Sequence, residues 1–569
     1  MKKALIVVLL PLLVCAVIFG GGRSEPPRPA AGGTAGGAVG GTAGGTAAGA
    51  APYTRAPAEQ LRATIPQLNP SPDSPALPLS KEKVTFTVMA RLHALATDLT
   101  TVPLLQKMEN ETNIHLEGGY ISPSAWNERK NLALAGGRIP DMFLSGLTKA
   151  DVVSYGSQGM FIPLNDLIDK YAPNIKALYA AYPYFQAECI APDGNQYYIK
   201  GINGLPFRES GCNMFINTAW LAKLGLSVPK TYDEYYEVLK AFKTRDPNGN
   251  GQADEIPLSC IYDDGMDYNM LFNLFGGWGF VMGRDYLSVD QDGKMFLAPT
   301  HKNFPEALKY FNKLYREGLL DQEVFTQKNA DLAAKGRSST AILGSYPDWF
   351  GDPVVGAERF NSDYDVMEPM QGPYSRSWRR ISGFGSGASA VITSACKDPA
   401  LAMMWLDYCY RPEISMQLSR GAIGDVLELR NGVYYSKDPP QGMSDDEFRI
   451  KYTTDMAFAW ALTPEILENL QLPLSFDRKI KKFFPANKPY LPEKFIPDLM
   501  YSKEESDELV IYSTDIQSYI DKTMPQFITG QLDIDSGMAG FLAQLERMGA
   551  SKYVAIHQAS YDRYAAAQK

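Results

Sequence analysis

Asp246-Pro247-Asn248-Gly249-Asn250-Gly251-Gln252-Ala253-Asp254-Glu255 is the stretch on which the reading of this 569-residue chain turns. Side-chain oxygens stand at positions 1, 3, 5, 9 and 10 of the run, with glycine at position 6. Calcium loops space their ligands in this way and use the glycine for the sharp turn. An EF-hand closes with glutamate at position 12. Here position 12 is Pro257, so the closing carboxylates are Asp254 and Glu255. The candidate ligands are therefore Asp246, Asn248, Asn250, Asp254 and Glu255, with the main-chain carbonyl of Gln252. Hard oxygen donors in this number suit calcium rather than zinc. The same residues also form strong turn sequence without any metal. An ion here would have a structural task, bracing a loop that leaves a helix.

Working outward, Thr231 and Glu234 form a T-x-x-E capping box that opens a helix running to about Lys243, directly before the loop. Val84–Met89 alternates and is β-branched, as a first strand does. Helical patterns follow at Val102–Glu109, Trp126–Ala135, Ala219–Leu224, Phe304–Glu317, Pro399–Tyr410 and Gly537–Met548. Ile139–Leu144, Asn213–Asn217 and Ala388–Thr393 read as strands. Alternating strands and helices point to α/β architecture with a parallel sheet. A folded body of this length exceeds one ordinary domain, so two lobes are expected.

Composition excludes several classes. The chain is 45% hydrophobic and 21% charged, with net charge −9 and no basic block. Nucleic-acid binding is excluded on that balance. Lys2 and Lys3 precede an apolar run, Ala4–Phe19, that is too short to span a membrane and reads as an export signal. Cys15 sits inside it as a candidate lipidation site; cleavage near Gly20 is the alternative. Residues 23–80 are a Gly/Ala/Pro-rich linker expected to stay disordered. About 55 such residues reach roughly 40 Å, enough for a tether. The remaining cysteines, Cys189, Cys212, Cys260, Cys396 and Cys409, are scattered and form no zinc or disulfide pattern.

Several blocks together carry a resemblance. Phe215–Leu226 contains Asn-x-x-Trp-Leu-x-x-Leu-Gly, and Pro229–Glu234 continues as Pro-x-Thr-x-Asp-Glu. The loop itself ends Asp-Glu-Ile-Pro; Phe527–Gly530 and Tyr561–Tyr564 lie near the C-terminus. In this order they resemble extracellular solute-binding proteins of ABC-type sugar importers, in the large lipoprotein-like oligosaccharide-binding branch. The resemblance covers about residues 80–569. It implies a type II periplasmic-binding fold, two α/β lobes joined by a multi-crossing hinge, with ligand held in the cleft between them. Crossings are expected near Leu205–Gly211, Tyr364–Gln371 and Tyr410–Glu413. The corresponding domains are 1–22 signal peptide, 23–80 linker, 81–207 and 367–411 lobe 1, and 208–366 and 412–569 lobe 2. It further implies a monomer that is exported, periplasmic or anchored outside the cytoplasmic membrane. Its partners would be an oligosaccharide or related solute and ABC permease subunits.

Sugars offer apolar faces to aromatic rings and hydroxyls to polar side chains. Rings in Gly- or Pro-rich contexts are the candidates: Trp126, Trp278, Tyr346, Trp349 and Trp378. Polar candidates are Arg91, His93, Asn127, Ser145, Arg208, Glu209 and Arg376. For each, core packing is the competing role. Trp220, Trp405 and Trp460 lie on helical patterns and are assigned to the core. Catalytic signals are weak. There are four histidines, no HExxH and no G-x-S-x-G. Gly383–Ala388 matches a loose dinucleotide fingerprint but precedes a strand, so it reads as a strand-entry turn. A secreted calcium-stabilised carbohydrate-active enzyme and a surface lipoprotein for sensing or adhesion stand as alternatives. The intact mass of the mature protein separates the two signal readings: acyl chains on Cys15, or a start after Gly20.

Overall fold

The computed structural model describes residues 70–568, apart from 94–95, 97, 205–206, 263–269, 284, 382–384, 441–444, 455–456 and 473–478. Signal peptide, Cys15 and most of the linker lie outside the described residues. Two sheets organise the body, and both fall within one contact unit, Ala48–Lys569.

The six-stranded sheet of lobe 1 runs 461–462, 199–203, 385–392, 142–143, 84–91, 114–121 in spatial order. All its pairings are parallel except those of Gly385–Ile392, which is antiparallel to both neighbours. The carboxyl ends at Arg91, Ile121, Phe143, Asn203 and Leu462 therefore share one edge, and Gly385 enters from that same edge. The four-stranded sheet of lobe 2 runs 364–367, 213–217, 343–348, 256–258. Asn213 pairs with Asp348 and Met214 with Met367, so three strand ends meet at one edge of this sheet too.

Each sheet owns its core. Lobe 1 buries Phe86, Val88, Met142, Ile199, Trp405 and Leu462 with the helix Pro399–Cys409. Lobe 2 buries Met214, Ile216, Trp220, Phe242 and Phe311 together with the three C-terminal helices, Lys503–Thr529, Ile534–Arg547 and Ala550–Ala567. The capping box forms as read: Thr231 Oγ1 accepts from Glu234 N, and the Glu234 carboxylate accepts from Thr231 N. Its helix spans Tyr232–Thr244 and buries Tyr235, Val238, Leu239 and Phe242 at helical spacing.

The crossings differ from the sequence expectation. Tyr364–Met367 is a strand inside lobe 2, and Met370 and Trp378 pack in the lobe 2 core, so the return to lobe 1 comes near 385 rather than 367. Tyr410 caps the helix Pro399–Cys409 and Glu413 lies in the first turn of Pro412–Arg420, and both helices are built on the lobe 1 core. Residues 412–472 stay with lobe 1 because Ile414, Leu418, Tyr434, Trp460 and Leu470 bury their side chains there. The chain leaves lobe 1 after 472, and Phe483 already lies in a lobe 2 cluster. The first crossing lies between Asn203 and Asn213, partly outside the described residues.

The end of the linker is pinned to lobe 1. Ser71 N donates to Asn174 Oδ1 at 2.8 Å, and an Arg411 guanidinium nitrogen donates to the Pro75 carbonyl at 2.6 Å. Asn113 Nδ2 donates to the Ser80 carbonyl at 3.2 Å, and Leu79 packs on the lobe 1 core. Asp407 closes the arrangement. Its Oδ1 accepts from Asn174 N and Ile175 N, both at 2.9 Å, satisfying the open start of the helix Pro173–Ala181.

Two glycines separate packing from propensity. A Cβ on Gly276 would run into the carbonyl of Ser377, whereas one on the helical, exposed Gly540 meets nothing within 4 Å. Gly276→Ala is expected to cost ~2–3 kcal/mol by overpacking. Gly540→Ala is expected to gain ~0.5–1 kcal/mol from chain entropy. Urea denaturation of the two variants checks both signs.

Candidate functional site

The loop Asp246–Glu255 links the helix Tyr232–Thr244 to the edge strand Ile256–Leu258. Asp246 adopts φ 46°, in the left-handed region, and Gly251 turns the chain at φ 73°. The Asp246 carboxylate gathers three amides: Gly249 N at 2.9 Å, Asn250 N at 3.1 Å and Gly251 N at 3.0 Å. Asn248 and Asn250 donate their side-chain amides to the two Asp254 oxygens at 2.8 and 2.9 Å. Lys223 and Lys243 brace the outside, donating to the carbonyls of Pro247 at 2.8 Å and Glu255 at 3.3 Å.

Glu255 is the unbalanced member. It is 2% exposed, and its Oε1 has no hydrogen-bond partner. Burial first, then the nearby charges of Asp254 and Asp246, push its carboxyl above the ordinary value. A buried carboxylate oxygen without a donor is costly unless a cation faces it. The donor set thus fits a hard cation held by oxygens. Among the described residues no three Asp, Glu, His or Cys side chains converge as a ready-made metal cluster. Two of the proposed ligands are amides, and the Asp254 oxygens are engaged by those amides.

The second region is the pair of edges between which the chain crosses. In open α/β sheets ligands bind outside the carboxyl ends of the strands. Arg91 ends the first strand, and its N donates to Ser145 Oγ at 2.9 Å. Trp126 and Asn127 lie on the helix Pro123–Ala135 that follows Ile121. The Trp126 indole donates to the Gly146 carbonyl at 2.8 Å, which ties that helix to the loop after Phe143. Arg91, Asn127, Ser145 and Trp126 therefore come together on the lobe 1 edge. Asn127 is exposed and Arg91 half-buried, whereas Ser145 is 1% exposed and spends its hydroxyl on the Arg91 backbone, accepting from N and donating to O at 3.3 Å, so it positions Arg91 rather than facing a ligand. On the lobe 2 edge, Trp349 follows the strand end at Asp348, and its carbonyl accepts from Asn213 Nδ2 at 3.0 Å. Its ring is half-buried.

Four aromatic candidates are corrected. Trp126, Trp278 and Trp378 are each 2% exposed, and Tyr346 is 0%. Trp278 is held among Tyr232, Tyr310 and Phe311 in the lobe 2 core. Tyr346 packs between Phe215 and Tyr364, with its hydroxyl donating to Gly351 O. Trp378 donates to the Cys212 carbonyl at 2.9 Å from inside a crossing. Gly- and Pro-rich flanks suggest exposed loops, but here the glycines let backbone approach closely and enclose the rings. Arg376 is committed to Glu368 at 2.7 Å, just past the strand end at Met367, and to the Tyr490 ring at 4.0 Å. His93 is half-buried just past Arg91; the Arg208 side chain lies outside the described residues; Glu209 pairs with Arg380 at 3.0 Å.

Sequence reading missed a set of buried polar atoms in lobe 1. Tyr120 Oη, Thr453 Oγ1, Thr454 Oγ1 and both amide atoms of Gln471 have no hydrogen-bond partner. Nothing local marks them, because their burial is created by tertiary packing.

Comparison with known proteins agrees with this architecture. A family model for bacterial extracellular solute-binding proteins matches residues 104–434, more than half of the 569-residue chain. The fructooligosaccharide ABC transporter substrate-binding protein FusA of Streptococcus pneumoniae is 32% identical over 511 residues, covering 86% of this chain and 92% of that one. A solved structure described as a FusA EF-hand mutant in complex with fructo-nystose superposes with TM-score 0.68 at 30% identity, over 85% of this chain and 99% of that chain. An extracellular solute-binding protein from Bifidobacterium longum subsp. infantis gives TM-score 0.73 at 25% identity, over 85% and 98%. The chain belongs to the bacterial extracellular solute-binding proteins. Its role is substrate binding, and its fold is the two-lobed α/β fold of that class.

Burial separates the candidate rings by the cost of removing them. Trp278→Ala and Trp378→Ala are each expected to lose ~3–5 kcal/mol through cavity formation. Trp349→Ala is expected to lose less than half of that, because its ring is only half-buried. Denaturant midpoints of the three variants provide the check.

Proposed function

We propose that this protein captures an oligosaccharide between its two lobes and delivers it to the permease subunits of an ABC importer. The observation that carries the reading is the meeting of strand ends. Arg91 and Asn127 stand on one edge and Trp349 on the other, at the points between which the chain crosses. Polar side chains on one lobe and a ring on the other suit a ligand with hydroxyls and apolar faces. Fructose-containing oligosaccharides come first as ligand class, given the likeness to FusA across most of both chains. Binding closes the lobes, and the importer selects the closed form. No bond is made or broken, which sets the protein apart from a carbohydrate-active enzyme. The protein works outside the cytoplasmic membrane, either free in the periplasm or held through its linker.

Calorimetry with kestose tests this reading. Saturable binding with no new reducing ends after long incubation is expected. Product formation would support the enzyme alternative instead. Trp349→Ala and Arg91→Ala are each expected to weaken binding by ~10–100-fold, equivalent to about 1.4–2.7 kcal/mol.

The loop Asp246–Glu255 is proposed to hold calcium for structure. Asp246, Asn248, Asn250, Asp254, Glu255 and the Gln252 carbonyl would supply the oxygens. The ion's charge would answer the unpaired Glu255 oxygen and fix the edge strand to its helix. Calcium at about a hundred times its Kd should add roughly 2.7 kcal/mol to stability. EGTA is expected to lower the Tm of the wild type and leave that of Glu255→Gln unchanged. An equal EGTA shift in both would remove Glu255 from the site.

A further inference from the structure

Two lobes need a fixed axis if closure is to be a reproducible rotation rather than a loose flexing. The crossing segments carry an unusual concentration of ion pairs. Arg380 holds Glu209 of the first crossing at 3.0 Å and lies over the Phe495 ring, beyond the last crossing, at 4.3 Å. Ile381 N donates to the Glu209 carbonyl at 2.9 Å. The first two crossings and the segment after the third thus meet at one guanidinium.

A second set stands next to it. The Asp498 carboxylate lies 3.2 Å from Lys149 Nζ and 3.9 Å from Lys200 Nζ, both lysines of lobe 1. Lys200 is ion-paired with the fully buried Glu188, and Lys149 also reaches the Glu188 carbonyl at 3.4 Å. After Asp498 the chain divides its side chains between the lobes. Leu499 enters the lobe 2 core, while Met500 enters the cluster of Trp126, Phe143 and Tyr198 in lobe 1. The C-terminal helix locks this point: Ser560 Oγ donates to the Met500 carbonyl at 2.7 Å. Tyr184 joins the two sets. Its ring packs on both lobe cores, and it lies within the electrostatic reach of Arg380, Glu209 and Glu188.

We propose that this charge-balanced belt of Lys149, Lys200, Glu188, Asp498, Arg380 and Glu209 is the axle about which the lobes turn. Two anchor points, at Arg380 and at Asp498–Met500, define a line; a single anchor would leave lobe 2 free to swivel. Three cations face three carboxylates, so the belt holds without net charge. Lys149 and Lys200 hold the Asp498 carboxyl below its ordinary value. Asp498 itself is exposed, so salt screens its pairs more than it does the buried Lys200–Glu188 pair. The axle sets how much of the ligand-free population is in register for closing, and apparent affinity scales with that fraction.

The test needs no ligand. Spin labels at Leu132→Cys in lobe 1 and Lys302→Cys in lobe 2 report the interlobe distance distribution; both positions are exposed, and the five described native thiols are buried. Asp498→Asn is expected to broaden the distribution by about twofold and to weaken kestose binding by about tenfold through the lost in-register population. Arg380→Gln is expected to act in the same direction. Lys335→Met is the control: it breaks a 2.6 Å ion pair with Asp321 inside lobe 2 and should lower Tm without changing the width. An unchanged width in both Asp498→Asn and Arg380→Gln overturns the axle, as does equal broadening by Lys335→Met. Failure of kestose to bind the wild type would bear on the ligand class alone and would leave the distance result standing.

Discussion

The Cys212 carbonyl is where the architecture is tied together. It accepts from the Trp378 indole and from the Asn487 amide, so it joins three segments that are each more than a hundred residues apart in sequence. Asn487 also reaches Asn213 Oδ1 at 3.1 Å, at the start of the central lobe 2 strand. Buried carbonyls demand donors. Supplying them from two distant segments makes the backbone's own hydrogen-bond requirement knit lobe 2 together beside the crossings. Trp378 is consequently worth more as a donor and packing element than as a sugar platform.

This arrangement explains why lobe 2 needs reinforcement far from the cleft. Its sheet is short, with strands of three to six residues. The edge strand Ile256–Leu258 pairs with a full strand on one side and with a single bridge, Leu258 to Leu320, on the other. The Asp246–Glu255 loop supplies rigidity at that edge, and the long helices at the C-terminus supply it on the face. Lobe 1 has three eight-residue strands, Val84–Arg91, Ile114–Ile121 and Gly385–Ile392.

What was legible in the sequence was local. Asn213–Asn217 is a strand and Thr231–Glu234 a capping box because β-branching and side-chain-to-backbone bonds act within a few residues. The order of motifs led to the family. Cleft assignments depended on a different kind of fact. Trp278 and Tyr346 look exposed by their flanking glycines and proline, yet Gly277 and Gly372 let two backbones touch beside Trp278, and Phe215 and Tyr364 enclose Tyr346. The extra lobe 1 segment, 412–472, was misplaced for the same reason: its apolar residues fit either core, and only packing against Trp405 and Phe458 decides. Arg91, Asn127, Ser145 and Trp349 share a strand-end position rather than a composition, and strand order is not written in any one segment.

The pinning of residues 71–80 has a mechanical meaning. A tether transmits load to the first part of the body it is fastened to, and that part is lobe 1, through Asn174, Arg411 and Asn113. For a molecule moored by this chain, lobe 1 is the stationary jaw and lobe 2 the swinging one. The swinging jaw carries the helices Lys503–Thr529, Ile534–Arg547 and Ala550–Ala567, so closing the cleft moves them as one body with lobe 2.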